Sequence, residues 1–212
     1  MRRRIPAGTE LDTWNGRTFI SVVGFRFLET RLLGVAVPFH RDFDEVNLRF
    51  YVRRRSPEGW RRGVAFVREL VPRTALAAVA RLVYGEPYTA LPMRHHIELA
   101  RGRVGYAWRW AGRWCALETR FVGEARLPAE GTLEAFLVEH YWGYTARRGG
   151  RSREYQVEHP PWKLWVGTEG FLQCDVASLY GPEFVSPLSG SGETALVAEG
   201  SAVTVRRGVQ LA

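Results

Sequence analysis

The chain has 212 residues and a mass of 24.2 kDa, with 46% apolar and 25% charged residues. That balance supports a single domain over 1–212 with a full hydrophobic core, and excludes disorder, a collagen-like fibre and a disulfide-stapled miniprotein. No apolar run approaches the ~18 residues of a membrane helix. The basic start, Arg2 to Arg4, is followed by no apolar stretch of the signal-peptide kind.

The formal net charge of +8 rests on arginine, since Lys163 is the single lysine. A basic surplus can mean phosphate binding. Here the arginines are dispersed through a chain rich in Gly, Ala and Pro, the bias of a coding sequence rich in G and C. The denser groups, Arg53 to Arg55 with Arg61 and Arg62, and Arg147 to Arg153, sit among turn residues and read as solvated turns. No nucleic-acid motif accompanies them. Cys115 and Cys174 lie in apolar runs without a C-x-x-C spacing and read as reduced core thiols of a cytoplasmic protein. The histidines show no metal-ligand spacing, and His95 and His96 project to opposite faces of a strand. No cofactor or metal is expected.

Alternation of apolar and polar residues dominates the chain. The turn Trp14-Asn15-Gly16 leads into a strand with Phe19, Ser21, Val23, Phe25 and Phe27 on one face. A second run covers Arg31 to Pro38. In the third, Val46, Leu48, Phe50 and Val52 face one way and Glu45, Asn47, Arg49 and Tyr51 the other. Pro57 to Gly59 turns the chain into a strand over Gly63–Leu70. The stripe Leu76, Val79, Ala80 and Val83, ended by Gly85, predicts a helix over 72–84. Strands follow near Met93–Leu99, Arg103–Trp110 and Trp114–Val122. Val104, Tyr106, Trp108 and Trp110 share a face that reads as core, with a base-stacking platform as the weaker alternative. A second helix is predicted over Thr132–Tyr144, with Thr132 as N-cap and His140 at its cationic-favouring end. The last strands are Tyr155–His159, Lys163–Val166, Phe171–Ala177 and Ala195–Arg207. This order argues for an α+β fold on a curled, largely antiparallel sheet or barrel.

Several stretches then resemble one family. They are Glu10-Leu11-Asp12-Thr13-Trp14, Phe43 to Arg49, Gly85-Glu86-Pro87-Tyr88, Glu139-His140-Tyr141, His159-Pro160-Pro161-Trp162 and Ala198-Glu199-Gly200-Ser201. In order and spacing they resemble the YqjF-like bacterial family of unknown function, within the acetoacetate decarboxylase-like superfamily. The resemblance implies a cone-shaped, mostly antiparallel β-barrel around a small cavity, with two main helices packed outside. In acetoacetate decarboxylases a lysine in a Gly-aromatic-Pro-Lys-Lys turn forms a Schiff base with the keto acid, assisted by a cavity glutamate. The corresponding turn here, Gly85 to Thr89, has neither lysine, while Glu45 resembles the cavity glutamate. Schiff-base decarboxylation therefore does not carry over.

Read from the residues alone, the face of Glu45, Asn47, Arg49 and Tyr51 is either solvated or, in a closed barrel, the wall of a pocket. As a pocket wall it suits a small oxo or carboxylic acid. Glu45 would be the general acid/base, Tyr88 would donate to a carbonyl or enolate oxygen, and Arg49 would clamp a carboxylate. Asn47, Tyr51 and Trp162 would complete the binding surface. His159, fixed by two following prolines, would be a positioned imidazole or a strand end packed under Trp162. If the protein is an enzyme, a lyase, isomerase or hydrolase chemistry is expected. The expected partner is a small molecule, without nucleic acid or membrane, and a homo-oligomer is compatible with this. The alternative is a basic nucleic-acid-binding domain or a non-catalytic regulatory or scaffold domain.

Overall fold

The computed structural model describes residues 4–32, 35–36, 42–72, 74, 87–147, 149–190 and 192–211. The strands are β1 (Glu10–Leu11), β2 (Ile20–Phe27), β3 (Arg31–Leu32), β4 (Val35–Ala36), β5 (Phe43–Ser56), β6 (Gly59–Val71), β7 (Tyr88–Ala90), β8 (Met93–Glu98), β9 (Arg103–Trp110) and β10 (Arg113–Phe121). Helix α1 (Leu133–Val138) precedes β11 (Trp142–Ala146), β12 (Ser152–Glu158) and β13 (Leu164–Gln173). The short helix α2 (Val176–Leu179) leads to β14 (Leu196–Ala198), β15 (Thr204–Val205) and β16 (Val209–Leu211). The helix predicted over 72–84 lies almost wholly outside the described residues.

Among the described residues two large curled sheets, with a separate β3–β4 pair, make up the fold. The larger runs β1-β5-β6-β11-β12-β15, with β2 also on β5, β7 on β6 and β16 on β12; the smaller runs β14-β13-β10-β9-β8. Pairing is antiparallel except where β7 and β11 join β6. The sheets form half-barrels that share one apolar core. Val46, Leu48, Phe50 and Val52 of β5 meet Tyr106 and Trp108 of β9, with Leu179 and Phe184 closing the cluster. Trp108 is fully buried, so the aromatic face of β9 is core, as its bulk requires. The turn at Asn15 and Gly16 has both residues at positive φ, 49° and 75°, as a tight two-residue hairpin turn demands. Cys115 is buried, Cys174 partly so, and both are free thiols.

Two expectations are corrected. The second helix is capped by the Thr132 hydroxyl, which accepts from the Ala135 amide at 3.3 Å, but it ends at Val138 rather than Tyr144. Trp142 to Ala146 is strand instead, because Trp142 and Gly143 pair in parallel with Gly63 and Val64 while the whole segment pairs with β12. Long-range pairing overrides a local helical stripe. Arg54, Arg61 and Arg62 of the β5–β6 hairpin are also not solvated turn residues. Arg54 and Arg61 both hold Glu154, whose side chain is 1% exposed, at 2.6 and 2.7 Å. Arg62 holds the buried Asp12 at 2.6 Å.

Candidate functional site

Strand β5 is buried on both faces. Its apolar face forms the core between the sheets, and its polar face lies on the opposite side. Glu45, Asn47 and Tyr51 are each 1% exposed and Arg49 is half-buried, so the solvated reading of this face is wrong. A carboxylate and an amide buried this deeply need hydrogen-bond partners.

Glu45 finds them among the expected residues. The Asn47 side-chain amide donates to one Glu45 oxygen at 3.0 Å, and the Tyr88 hydroxyl donates to the other at 3.1 Å. Tyr88 is brought there by β7, which pairs in parallel with β6 and sets Tyr88 beside Glu69. Glu69 is a further buried acid, 2% exposed, directly across from Asn47 in the β5–β6 register. Glu45, Asn47, Glu69 and Tyr88 thus form one polar cluster. An acid inside the apolar run Val64 to Val71 was the available signal for Glu69.

Arg49 and Tyr51 belong to the other end of the same face. The Arg49 guanidinium donates to the Leu137 carbonyl at 3.2 Å and lies 5.7 Å from the Tyr51 ring centre. The Tyr51 hydroxyl meets Ser21 at 2.6 Å. This end is covered by α1, whose Phe136 and Leu137 pack with Tyr51 and Val64. His140 follows the helix and is buried against Tyr51, ring centres 4.8 Å apart. Burial first, then the charges of Arg49, Arg62 and His159, hold its imidazole well below the ordinary histidine range. His140 is therefore a neutral buried ring, not a cation at a helix end.

His159 and Trp162 stand apart from Glu45. Their rings stack at 4.0 Å, with Tyr141 on the other side of His159 at 4.9 Å. The Trp162 indole donates to the Ser201 hydroxyl at 2.8 Å. None of their hydrogen bonds or ring contacts among the described residues reaches Glu45, Asn47 or Tyr88. The neighbouring cleft, about 440 Å³, is lined by Trp14, Arg62, Thr132, Phe136, Glu139 and Pro161 among others, and by none of the seven expected site residues. Among the described residues no cluster of three or more His, Cys, Asp or Glu is placed to hold a metal ion. No helix among them is long and apolar enough to cross a membrane.

Comparison with known proteins places this architecture. The acetoacetate decarboxylase of Legionella pneumophila subsp. pneumophila str. Philadelphia 1 superposes over 100% of this chain and 79% of its own, with a TM-score of 0.64 at 11% identity. An acetoacetate decarboxylase-like enzyme from Sphingomonas wittichii RW1 covers 99% of this chain and 82% of its own, with a TM-score of 0.57 at 15% identity. A further acetoacetate decarboxylase structure covers 89% of this chain and 85% of its own, at 0.51 and 9%. At such identities the likeness establishes the fold alone. No curated protein matches the chain in sequence. Residues 1–202 match DUF2071, described as "Uncharacterized conserved protein (COG2071)", and the chain belongs to that family, an acetoacetate decarboxylase-like fold without an assigned activity.

Proposed function

We propose that the polar face of β5 is the wall of a pocket that binds an oxo or carboxylic acid without forming a covalent imine. The observation that carries the reading is the burial of Glu45 at 1% exposure with Asn47 and Tyr88 hydrogen-bonded to its two oxygens. Such an arrangement fixes a carboxylate and a phenol side by side. A carbonyl oxygen placed at Tyr88 would take over the hydroxyl hydrogen bond that Glu45 accepts in the free protein, and the released Glu45 oxygen would face the carbon next to that carbonyl. Any turnover at this site is acid–base chemistry at Glu45, with Tyr88 serving a developing enolate oxygen.

Glu45 and Arg49 lie two side-chain repeats apart on one strand face, roughly 13 Å along the backbone. Arg49 leans towards Tyr51 and Leu137, away from Glu45. An acid that uses both ends is therefore extended, with its carboxylate remote from its carbonyl. The test is a thermal-shift series from acetate, pyruvate and acetoacetate to oxo acids of five to eight carbons. A ligand at a hundredfold excess over its Kd stabilises by about 2.7 kcal/mol. The reading predicts a rise in Tm for some member, reduced in Glu45→Gln and in Arg49→Ala. It fails if no acid moves the Tm, or if the response is the same in both variants.

A further inference from the structure

Beside α1 lies a second cluster, which joins Arg49 to His140 and Arg62. His140 is 7% exposed, and neither ring nitrogen bonds to any described residue. Its ring centre is 4.8 Å from Tyr51 and 6.0 Å from Phe136. Arg49 lies over the same Tyr51 ring at 5.7 Å and Arg62 over the same Phe136 ring at 4.7 Å. The charges of both guanidinium groups act on the one imidazole. The Nε of Arg49 and one terminal nitrogen of Arg62 are likewise buried without a hydrogen-bond partner among the described residues. Buried donors in folded proteins are rarely left without an acceptor. Three residues with such atoms, packed on the adjoining rings of Tyr51 and Phe136, call for an acceptor from outside the chain.

We propose that Arg49, His140 and Arg62 form a site for the carboxylate of a small organic acid, with His140 taking up a proton as the anion arrives. The proposal rests on the acid-binding reading and locates the carboxylate end of that ligand. Arg62 is already neutralised by Asp12 at 2.6 Å, while Arg49 makes no ion pair among the described residues. One uncompensated guanidinium matches a monoanion, and its planar fork matches the two oxygens of a carboxylate. Tyr51 and Phe136 wall the site and limit its size.

The groups that bear on His140 are Arg49 and Tyr51 from β5, Arg62 from β6 with Asp12 behind it, and His159 after β12. From α1 it meets Phe136. Burial and the cations keep the ring neutral in the free protein. An anion seated between them reverses the local field, so the ring binds a proton from solvent and becomes a second charged donor. Binding is therefore stronger below neutral pH.

The experiment is a titration of protein labelled with ¹⁵N-histidine, with the His140 resonances assigned by His140→Gln. Acetate, pyruvate, 5-oxohexanoate and inorganic phosphate are added at pH 6 and pH 7.5. The proposal predicts that a carboxylate moves the His140 nitrogens from the neutral towards the imidazolium pattern, saturably and more tightly at pH 6. Arg49→Gln should weaken that response roughly tenfold or more. Carboxylates that raise the Tm while His140 stays neutral would overturn the site but leave acid binding at Glu45 standing. Phosphate saturating where no carboxylate does would overturn the ligand class. Silence of both Tm and His140 with every acid removes the site and the acid-binding reading together. A His140 response to 5-oxohexanoate that persists unchanged in Glu45→Gln supports the site and refutes Glu45 as the other end of the same ligand. The wild-type titration decides the matter even if a variant folds poorly.

Discussion

Lys163 is the only amine side chain in the molecule, and it is exposed beside the stacked pair His159 and Trp162. A Schiff-base lysine is commonly activated by burial in an apolar pocket, and Lys163 is not buried. Incubation with acetoacetate followed by borohydride should leave Lys163 without added mass. An adduct there that disappears in Lys163→Arg would restore a decarboxylase-like mechanism with a relocated nucleophile. His140 makes a separate prediction about stability. Its folded pKa lies well below the ordinary value of 6.5, so the unfolded chain takes up a proton first as pH falls. Stability is therefore lost as pH drops below about 6.5, and His140→Leu should flatten that part of the curve. Denaturant midpoints between pH 7.5 and pH 5.5 in the two proteins measure this. An unchanged slope would contradict the buried neutral imidazole.

Glu154 acts in the same direction in a more acid window. Burial pushes its carboxyl up, but hydrogen bonds from Arg54 and Arg61 leave it below the ordinary range. Its stabilisation is present above about pH 4.5 and lost as pH falls through the folded value. Arg54 is 22% exposed and Arg61 26%, so solvent screens part of the pairing. Arg54→Ala should cost about 2 kcal/mol by chemical denaturation, less than the loss of a fully buried pair because Arg61 remains.

At the level of elements, the β5–β6 hairpin and its parallel partner β11 organise the fold. A Cβ on Gly63 would lie 2.3 Å from the Trp142 carbonyl oxygen, a backbone atom that cannot move aside. Gly63→Ala should therefore destabilise by about 3 kcal/mol; a cost under 0.5 kcal/mol would show that the β6–β11 join is looser than described. The same hairpin shows what was legible in sequence. The alternation of β5 is unbroken, so both of its faces, and with them Glu45, Asn47, Arg49 and Tyr51, could be read directly. Strand β6 carries a bulge: Leu48 pairs with Arg68 but Arg49 pairs with Phe66. The extra residue, Val67, reverses the faces beyond it, so period-2 reading could not place Glu69 and Phe66 on the same side. The end of α1 was illegible for another reason. Nothing local distinguishes a helix continuing to Tyr144 from a chain that leaves at Val138 to pair with β6. His140 consequently read as a helix-end residue rather than as a buried ring beside Arg49. The stacked His159 and Trp162 were visible as a rigid motif, yet their partners Tyr141 and Ser201 come from distant segments.

For the whole molecule, much of the arginine behind the net charge of +8 is committed to partners. Arg17, Arg26, Arg53, Arg54, Arg61, Arg62, Arg103 and Arg206 each pair with a carboxylate. Phosphate binding driven by free arginines weakens steeply with salt. The protein should show no retention on DNA or RNA at about 150 mM salt, the usual regime for such binding. Retention there with a steep salt slope would favour the nucleic-acid alternative.

The account turns on whether the polar face of β5 meets a ligand. The most direct measurement is a crystal structure of the protein soaked with 5-oxohexanoate, read as difference density. The account predicts an extended acid along β5, its carbonyl at Tyr88 and Glu45 and its carboxylate at Arg49. Density only in the cleft between Trp14 and Pro161, or protein side chains filling the space along Glu45 to Arg49, would contradict it.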